Sequence, residues 1–157
     1  MGNGLVRVLS HPVFLSGFLS WFCAQVIKLL VEALKRRRRF ASPLLPVVLW
    51  KTGGMPSSHS ALVTALATSI GFHDGADSSL FFLSVFYAAI IIRDAVGVRK
   101  AAGQQAQVLN RLGEGVREKL GVEFTPVKEV THGHTFPEVG VGMVLGFSIA
   151  LVVSLLS

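Results

Sequence analysis

Apolar residues run along this chain in four long blocks, with the polar residues crowded between them. The first block extends from Val13 to Leu30 and is broken by Gln25 and Lys28. The second covers Ser57 to Phe72, the third Ser79 to Ile92, and the fourth Val139 to Leu156, which holds no charge. About 20 apolar residues carry a helix across a bilayer, so these blocks read as four spans, the fourth clearest and the second short. Met55-Pro56 leads into the second, where proline suits a helix start and Ser57 and Ser58 suit its cap. Lys28, near the end of the first, is expected to snorkel its ammonium toward the membrane surface. A cleaved signal peptide is the competing reading of that block. No small-residue cleavage site follows Cys23, and Lys28 and Glu32 continue the helical pattern. Pro43 to Trp50 is too short to cross and fits an interfacial or re-entrant piece.

A different pattern fills the stretch from Asp94 to Leu120. Val98, Ala102, Val108, Leu112, Val116 and Leu120 recur at near-helical spacing among Arg, Lys, Gln and Glu, which predicts an amphipathic helix. Gly113 and Gly115 are expected to break it, and its apolar face would lie on the membrane or cap the bundle. The Gly113-x-Gly115 pair lacks the third glycine and preceding strand of a dinucleotide site. In the fourth block Gly142 and Gly146 form a small-xxx-small pair that would let another helix approach closely.

Composition agrees with the membrane reading. The 157 residues are 51% hydrophobic and 15% charged, against roughly 25% charged in a soluble domain, and mean hydropathy is +0.59. The expected fold is therefore all-α, one integral membrane domain over residues 1–157, with about four spans plus a cytoplasmic amphipathic helix. Lone Cys23 offers neither an intramolecular disulfide nor a metal framework. Lys and Arg number 15 against 9 Asp and Glu, and they cluster at Lys35 to Arg39 and between the third and fourth blocks. The positive-inside rule then puts both termini and the His73 loop outside and the basic segments in the cytoplasm. Beside a span, the arginine run reads as a topology signal and anionic-lipid contact, so no nucleic acid is expected as partner. The lack of charge in mid-span speaks against a transporter or channel.

That topology brings Lys51, Ser57, Ser58, His59, Arg93, Asp94, Arg99, Lys128, His132, His134 and Glu138 to one membrane face. The turn from Gly53 to Ser60 feeds a helix N-terminus, where free amides and the helix dipole favour an anion such as phosphate. Arg93 and Arg99 offer planar donors for phosphate oxygens, and Lys51 and Lys128 offer point charge. In His132-Gly-His-Thr-Phe-Pro-Glu138, a carboxylate four residues after His134 can accept one imidazole N–H and leave the other nitrogen free to attack. Two histidines, one as nucleophile and one as general acid, with basic groups around the phosphorus, would make a metal-free phosphatase. His132-x-His134 with Glu138 lacks a further ligand at recognisable metal-site spacing.

Lys51-Thr-Gly-Gly-Met-Pro-Ser-Ser-His-Ser60, Arg93-Asp-Ala-Val-Gly-Val-Arg99, Gly103-Gln-Gln-Ala106, Leu109-Asn110 and Gly133-His-Thr-Phe-Pro-Glu138 together resemble the divergent PAP2 family, membrane proteins related to type 2 phosphatidic acid phosphatases and vanadium-dependent haloperoxidases. Pro56-Ser57-Ser58-His59 is similar to the wider group's Pro-Ser-Gly-His motif. Lys128-x5-His134-x3-Glu138 is similar to its Arg-x5-His-x3-Asp motif, with Lys for Arg and Glu for Asp. The Lys-x6-Arg-Pro motif of that group is not present in that form. The resemblance implies a PAP2-like bundle hydrolysing a phosphate monoester or pyrophosphate, on a lipid or a small molecule, through a phosphohistidine at His134. Glu138 would orient His134 and His59 would protonate the leaving oxygen. Lys51, Ser57, Ser58, Arg93, Arg99 and Lys128 would hold the phosphoryl oxygens. No cofactor or metal is implied, and vanadate should act as a phosphate mimic. The rival expectation is a non-catalytic scaffold that binds anionic lipid or assembles with partners, a second copy of the chain included. A plastid or endoplasmic reticulum membrane is implied for a plant protein and the plasma membrane for a bacterial one.

Overall fold

The first long helix sorts its residues by size. Ser16, Ser20, Ala24 and Lys28, spaced four apart, are buried, whereas Phe14, Phe18, Phe22, Val26 and Leu30 face outward. Phe14, Phe18 and Phe22 stack along that outer face, with successive ring centroids 6.1 Å apart. Burying serine and alanine while exposing phenylalanine inverts the order of a water-soluble core. It is the arrangement expected where lipid takes the bulky side chains and small residues let helices approach.

The computed structural model describes residues 2–36, 54–127 and 134–157. Six helices occupy them: α1 Gly2–Leu9, α2 Pro12–Arg36, α3 Ser58–His73, α4 Ser79–Val96, α5 Val98–Leu120 and α6 Phe136–Leu156. Among the described residues there is no strand, and the chain is an all-α membrane bundle. The segment Pro43 to Trp50, the basic residues Arg37 to Arg39, and Lys51, Lys128 and His132 lie outside the described residues.

At the centre stands α3, which packs against α2, α4 and α6. Ser58, Ser60, Ala61, Val63, Ala65, Ala67, Ser69 and Ile70 are all buried in it. The closest approach is to α6. A Cβ added at Gly142 would strike the Ser57 carbonyl oxygen, and one at Gly146 would strike the backbone of Ala61. The Gly142/Gly146 pair thus packs within the chain, against α3.

Three of the four expected spans are long and apolar enough to cross a membrane: the helices beginning at Pro12, Ser79 and Phe136. The second expected span, α3, has 16 residues and so a length of about 24 Å, short of a hydrocarbon core of about 30 Å. Its neighbours α2, α4 and α6 bury much of its surface. The third runs on through Arg93 and Asp94 to Val96 before Gly97 divides it from α5. In the bundle α2 packs against α3 and α6.

The predicted break in the amphipathic helix is absent: α5 is continuous from Val98 to Leu120. Gly113 does not bend it. The Phe124 ring occupies the space where a Cβ at Gly113 would stand. The helix ends instead at Gly121, whose φ of +64° is a left-handed cap that glycine adopts without strain. The chain then returns along α5. Asn110 Nδ2 donates to the Val127 carbonyl at 3.0 Å, and its Oδ1 accepts from the Val127 amide at 2.7 Å. Val98, Val108, Leu109, Leu112, Val116 and Leu120 remain exposed on the other face. Among the described helices α5 touches α4 alone.

Candidate functional site

The two histidine motifs meet where the N-termini of α3 and α6 come together. Ser57 caps α3: its Oγ accepts from the Ser60 amide at 3.4 Å and from the Ser60 hydroxyl at 2.9 Å. Its own amide donates to the Glu138 carbonyl at 3.0 Å. That bond joins the turn bearing His59 to the turn bearing His134. It engages the Ser57 amide, and the bonds from Ser60 engage Ser57 Oγ as an acceptor, so Ser57 serves as a joint between the two turns.

Thr135 caps α6 in a capping box, in which the Glu138 side chain returns to the cap residue. Glu138 Oε2 accepts from the Thr135 amide at 3.0 Å and lies 3.2 Å from His134 Nδ1. A carboxylate only accepts, so Nδ1 carries the proton in this bond. The His134 side chain is 6% exposed and that of Glu138 20%. The His134 amide donates to the Ala95 carbonyl at 3.0 Å, tying this pair to the end of α4 just after Arg93 and Asp94.

Of the other residues expected here, Ser58 is buried. His59, between two buried serines, is exposed in the first turn of α3, and Arg93 is exposed in the last turn of α4. Arg99 falls in the first turn of α5. Its side chain, like Lys51 and Lys128, lies outside the described residues. Among the described residues no group of three or more His, Cys, Asp or Glu is arranged to hold a metal ion.

Lys28 is a member of this cluster that the sequence pattern assigned elsewhere. It is 9% exposed, its Nζ donates to Ser58 Oγ at 3.4 Å, and it faces the charge of Glu138. The snorkelling expectation is corrected: Lys28 points into the bundle because it continues the buried row of Ser16, Ser20 and Ala24, not the phenylalanine row. That register was the signal available in the sequence.

With these elements in place, residues 9–149 match the divergent PAP2 family. The chain belongs to that family. A divergent PAP2 fold therefore carries both turns described above. A protein of Bacillus subtilis (strain 168), the uncharacterized membrane protein YuiD, is similar to this chain, with 43% identity over 107 residues. The match takes in 68% of this chain and 65% of the length of YuiD. No solved structure matches.

Proposed function

We propose that this protein is a membrane phosphatase that hydrolyses a phosphate monoester or pyrophosphate, on a lipid, through a phosphohistidine. The observation that carries this reading is the His134–Glu138 pair, in which a buried imidazole has Nδ1 engaged by a carboxylate, the arrangement that assigns the nucleophile's role to Nε2. His134 Nε2 attacks phosphorus, the bond from phosphorus to the leaving oxygen breaks, and His59 gives that oxygen its proton. Water then attacks the phosphohistidine and passes a proton to His59, releasing phosphate and restoring both histidines. Glu138 stabilises the imidazolium character that His134 acquires. Ser58, Lys51, Arg93, Arg99 and Lys128 hold the phosphoryl oxygens as charge develops on them. No metal or cofactor enters this scheme, and vanadate would occupy the same place as a five-coordinate mimic.

A lipid substrate is supported by a groove of about 610 Å³ between α3, α4 and α6, lined by Ala67, Phe81, Val85, Ala88, Met143 and Phe147 among others. Its lining is apolar enough for an acyl chain, and Met143 lies little more than a turn of α6 beyond Glu138. Orientation follows from charge: the site-bearing end, next to the basic segments, faces the cytoplasm. The test is phosphate release by the purified chain in detergent, with EDTA present, from phosphatidic acid and related lipid phosphates. Release abolished in both His134→Ala and His59→Ala is expected. No release above those variants, with lipid still bound, would overturn the hydrolase reading in favour of a lipid-binding scaffold.

A further inference from the structure

The end of the bundle opposite the two histidine turns holds a second cleft, of about 700 Å³, where α1, α2, α3 and α4 meet. Its lining is sorted by depth. Val13 and Phe14 from the first turn of α2, and Leu66 and Ile70 from the last turns of α3, are apolar, whereas the charged and polar lining residues Arg7, His11 and Asp74 stand outside both helices. The spans that flank the cleft begin at Pro12 and Ser79, so its polar mouth lies at a membrane boundary and its apolar part beneath, as an amphiphile requires. Each polar group offers a distinct bond. The Arg7 guanidinium is a planar fork of donors. The Val13 amide donates to His11 Nδ1 at 3.3 Å, so in the neutral ring the proton sits on Nε2, a second donor. The Asp74 carboxylate accepts. Among the described residues Arg7 and Asp74 form no ion pair with each other. Helix ends reinforce the separation of charge, because the N-terminus of α2 puts partial positive charge beside His11 and the C-terminus of α3 puts partial negative charge beside Asp74. His73 and Asp77, near Asp74 in the chain, are not among the lining residues.

We propose that this cleft binds a zwitterionic phospholipid whose headgroup ends in a primary amine, a phosphoethanolamine lipid. Arg7 and His11 donate to its phosphodiester oxygens, its ammonium donates to the Asp74 carboxylate, and an acyl chain lies along Val13, Phe14, Leu66 and Ile70. A lipid with a negative charge alone would satisfy Arg7 and be opposed by Asp74. A choline headgroup has no N–H to give that carboxylate. The site binds without chemistry, lies at the other end of α3 from His134, and stands apart from the hydrolase reading.

Native mass spectrometry tests this on the full chain, delipidated in detergent and titrated with phosphatidylethanolamine, phosphatidylcholine and phosphatidylglycerol of the same acyl chains. Phosphatidylethanolamine is expected to bind about fivefold or more tighter than either, as one net charge-assisted contact near a surface allows. Arg7→Gln should weaken that binding by about the same factor. Asp74→Ala should bring phosphatidylethanolamine and phosphatidylcholine within about twofold of each other. Both residues are exposed in the unliganded chain, so the variants should fold, with unchanged helicity by circular dichroism. His134→Ala, at the other end of α3, and Lys119→Gln, on α5, should bind like wild type. Equal binding of the three lipids by wild type, tighter binding of phosphatidylglycerol, or a phosphatidylethanolamine preference that survives both Arg7→Gln and Asp74→Ala overturns the proposal. Loss of the preference in His134→Ala overturns it too, by moving the lipid to the histidine turns.

Discussion

The Ser57 amide donates to the Glu138 carbonyl at 3.0 Å, and this single backbone bond fastens the N-terminus of α3 to the first turn of α6. It can form because Gly142, one turn further along α6, has no side chain to keep the Ser57 carbonyl away. Close helix packing and the meeting of the two histidine turns are thus one structural event. Disturbing the glycine contact should disturb the site.

Gly146→Val places side-chain atoms where the Ala61 backbone lies. A loss of about 1–3 kcal/mol is expected from such overpacking, read as a lowered thermal midpoint in detergent. Gly115→Ala, where nothing lies within 4 Å, should be neutral or stabilising by up to about 1 kcal/mol.

Glu138 has two duties that can be separated. Glutamine can still serve a capping box, so Glu138→Gln should leave helicity unchanged while it removes the charge facing His134 and Lys28. Phosphatase activity is expected to fall by at least about 100-fold, as when a triad carboxylate is made neutral. Glu138→Ala should lose the cap as well, adding a destabilisation of about 1 kcal/mol. Equal activity of Glu138→Gln and wild type would remove Glu138 from the mechanism.

Asn110 holds the returning segment through both hydrogen bonds to Val127. In Asn110→Ala the amides near Val127 should exchange with deuterium at least several-fold faster, while those of α3 and α6 stay protected. Unchanged exchange at Val127 would show that the Phe124 ring over Gly113 is enough to hold the segment.

The size sorting of α2 is tested by exchanging its faces. Ser20→Leu should destabilise the bundle by about 1–3 kcal/mol, because Ser20 is fully buried against neighbouring helices. Phe18→Leu, on the lipid side, should change the thermal midpoint by little.

Much of this was legible in the sequence where chemistry is local. His134 and Glu138 are one helical turn apart around Pro137, so their pairing follows from spacing, as do the Ser57 cap and the apolar blocks of α2, α4 and α6. What escaped depends on contacts between distant segments. The glycine pair announced a close neighbour but not that the neighbour is α3. Gly113 read as a break because nothing local reveals the Phe124 ring above it. Depth along the helix suggests that Lys28 snorkels, but its face decides where it points, and the face is set by which residues meet α3.

The measurement that bears most directly on the central claim is a rapid-quench reaction of the detergent-solubilised protein with phosphatidic acid carrying ³²P in its phosphate. An alkaline quench preserves phosphohistidine. Labelled protein, with the label mapped by peptide mass spectrometry to His134 and absent from His134→Ala, is the predicted result. Rapid release of labelled phosphate with no label on His134 at any quench time would contradict the account.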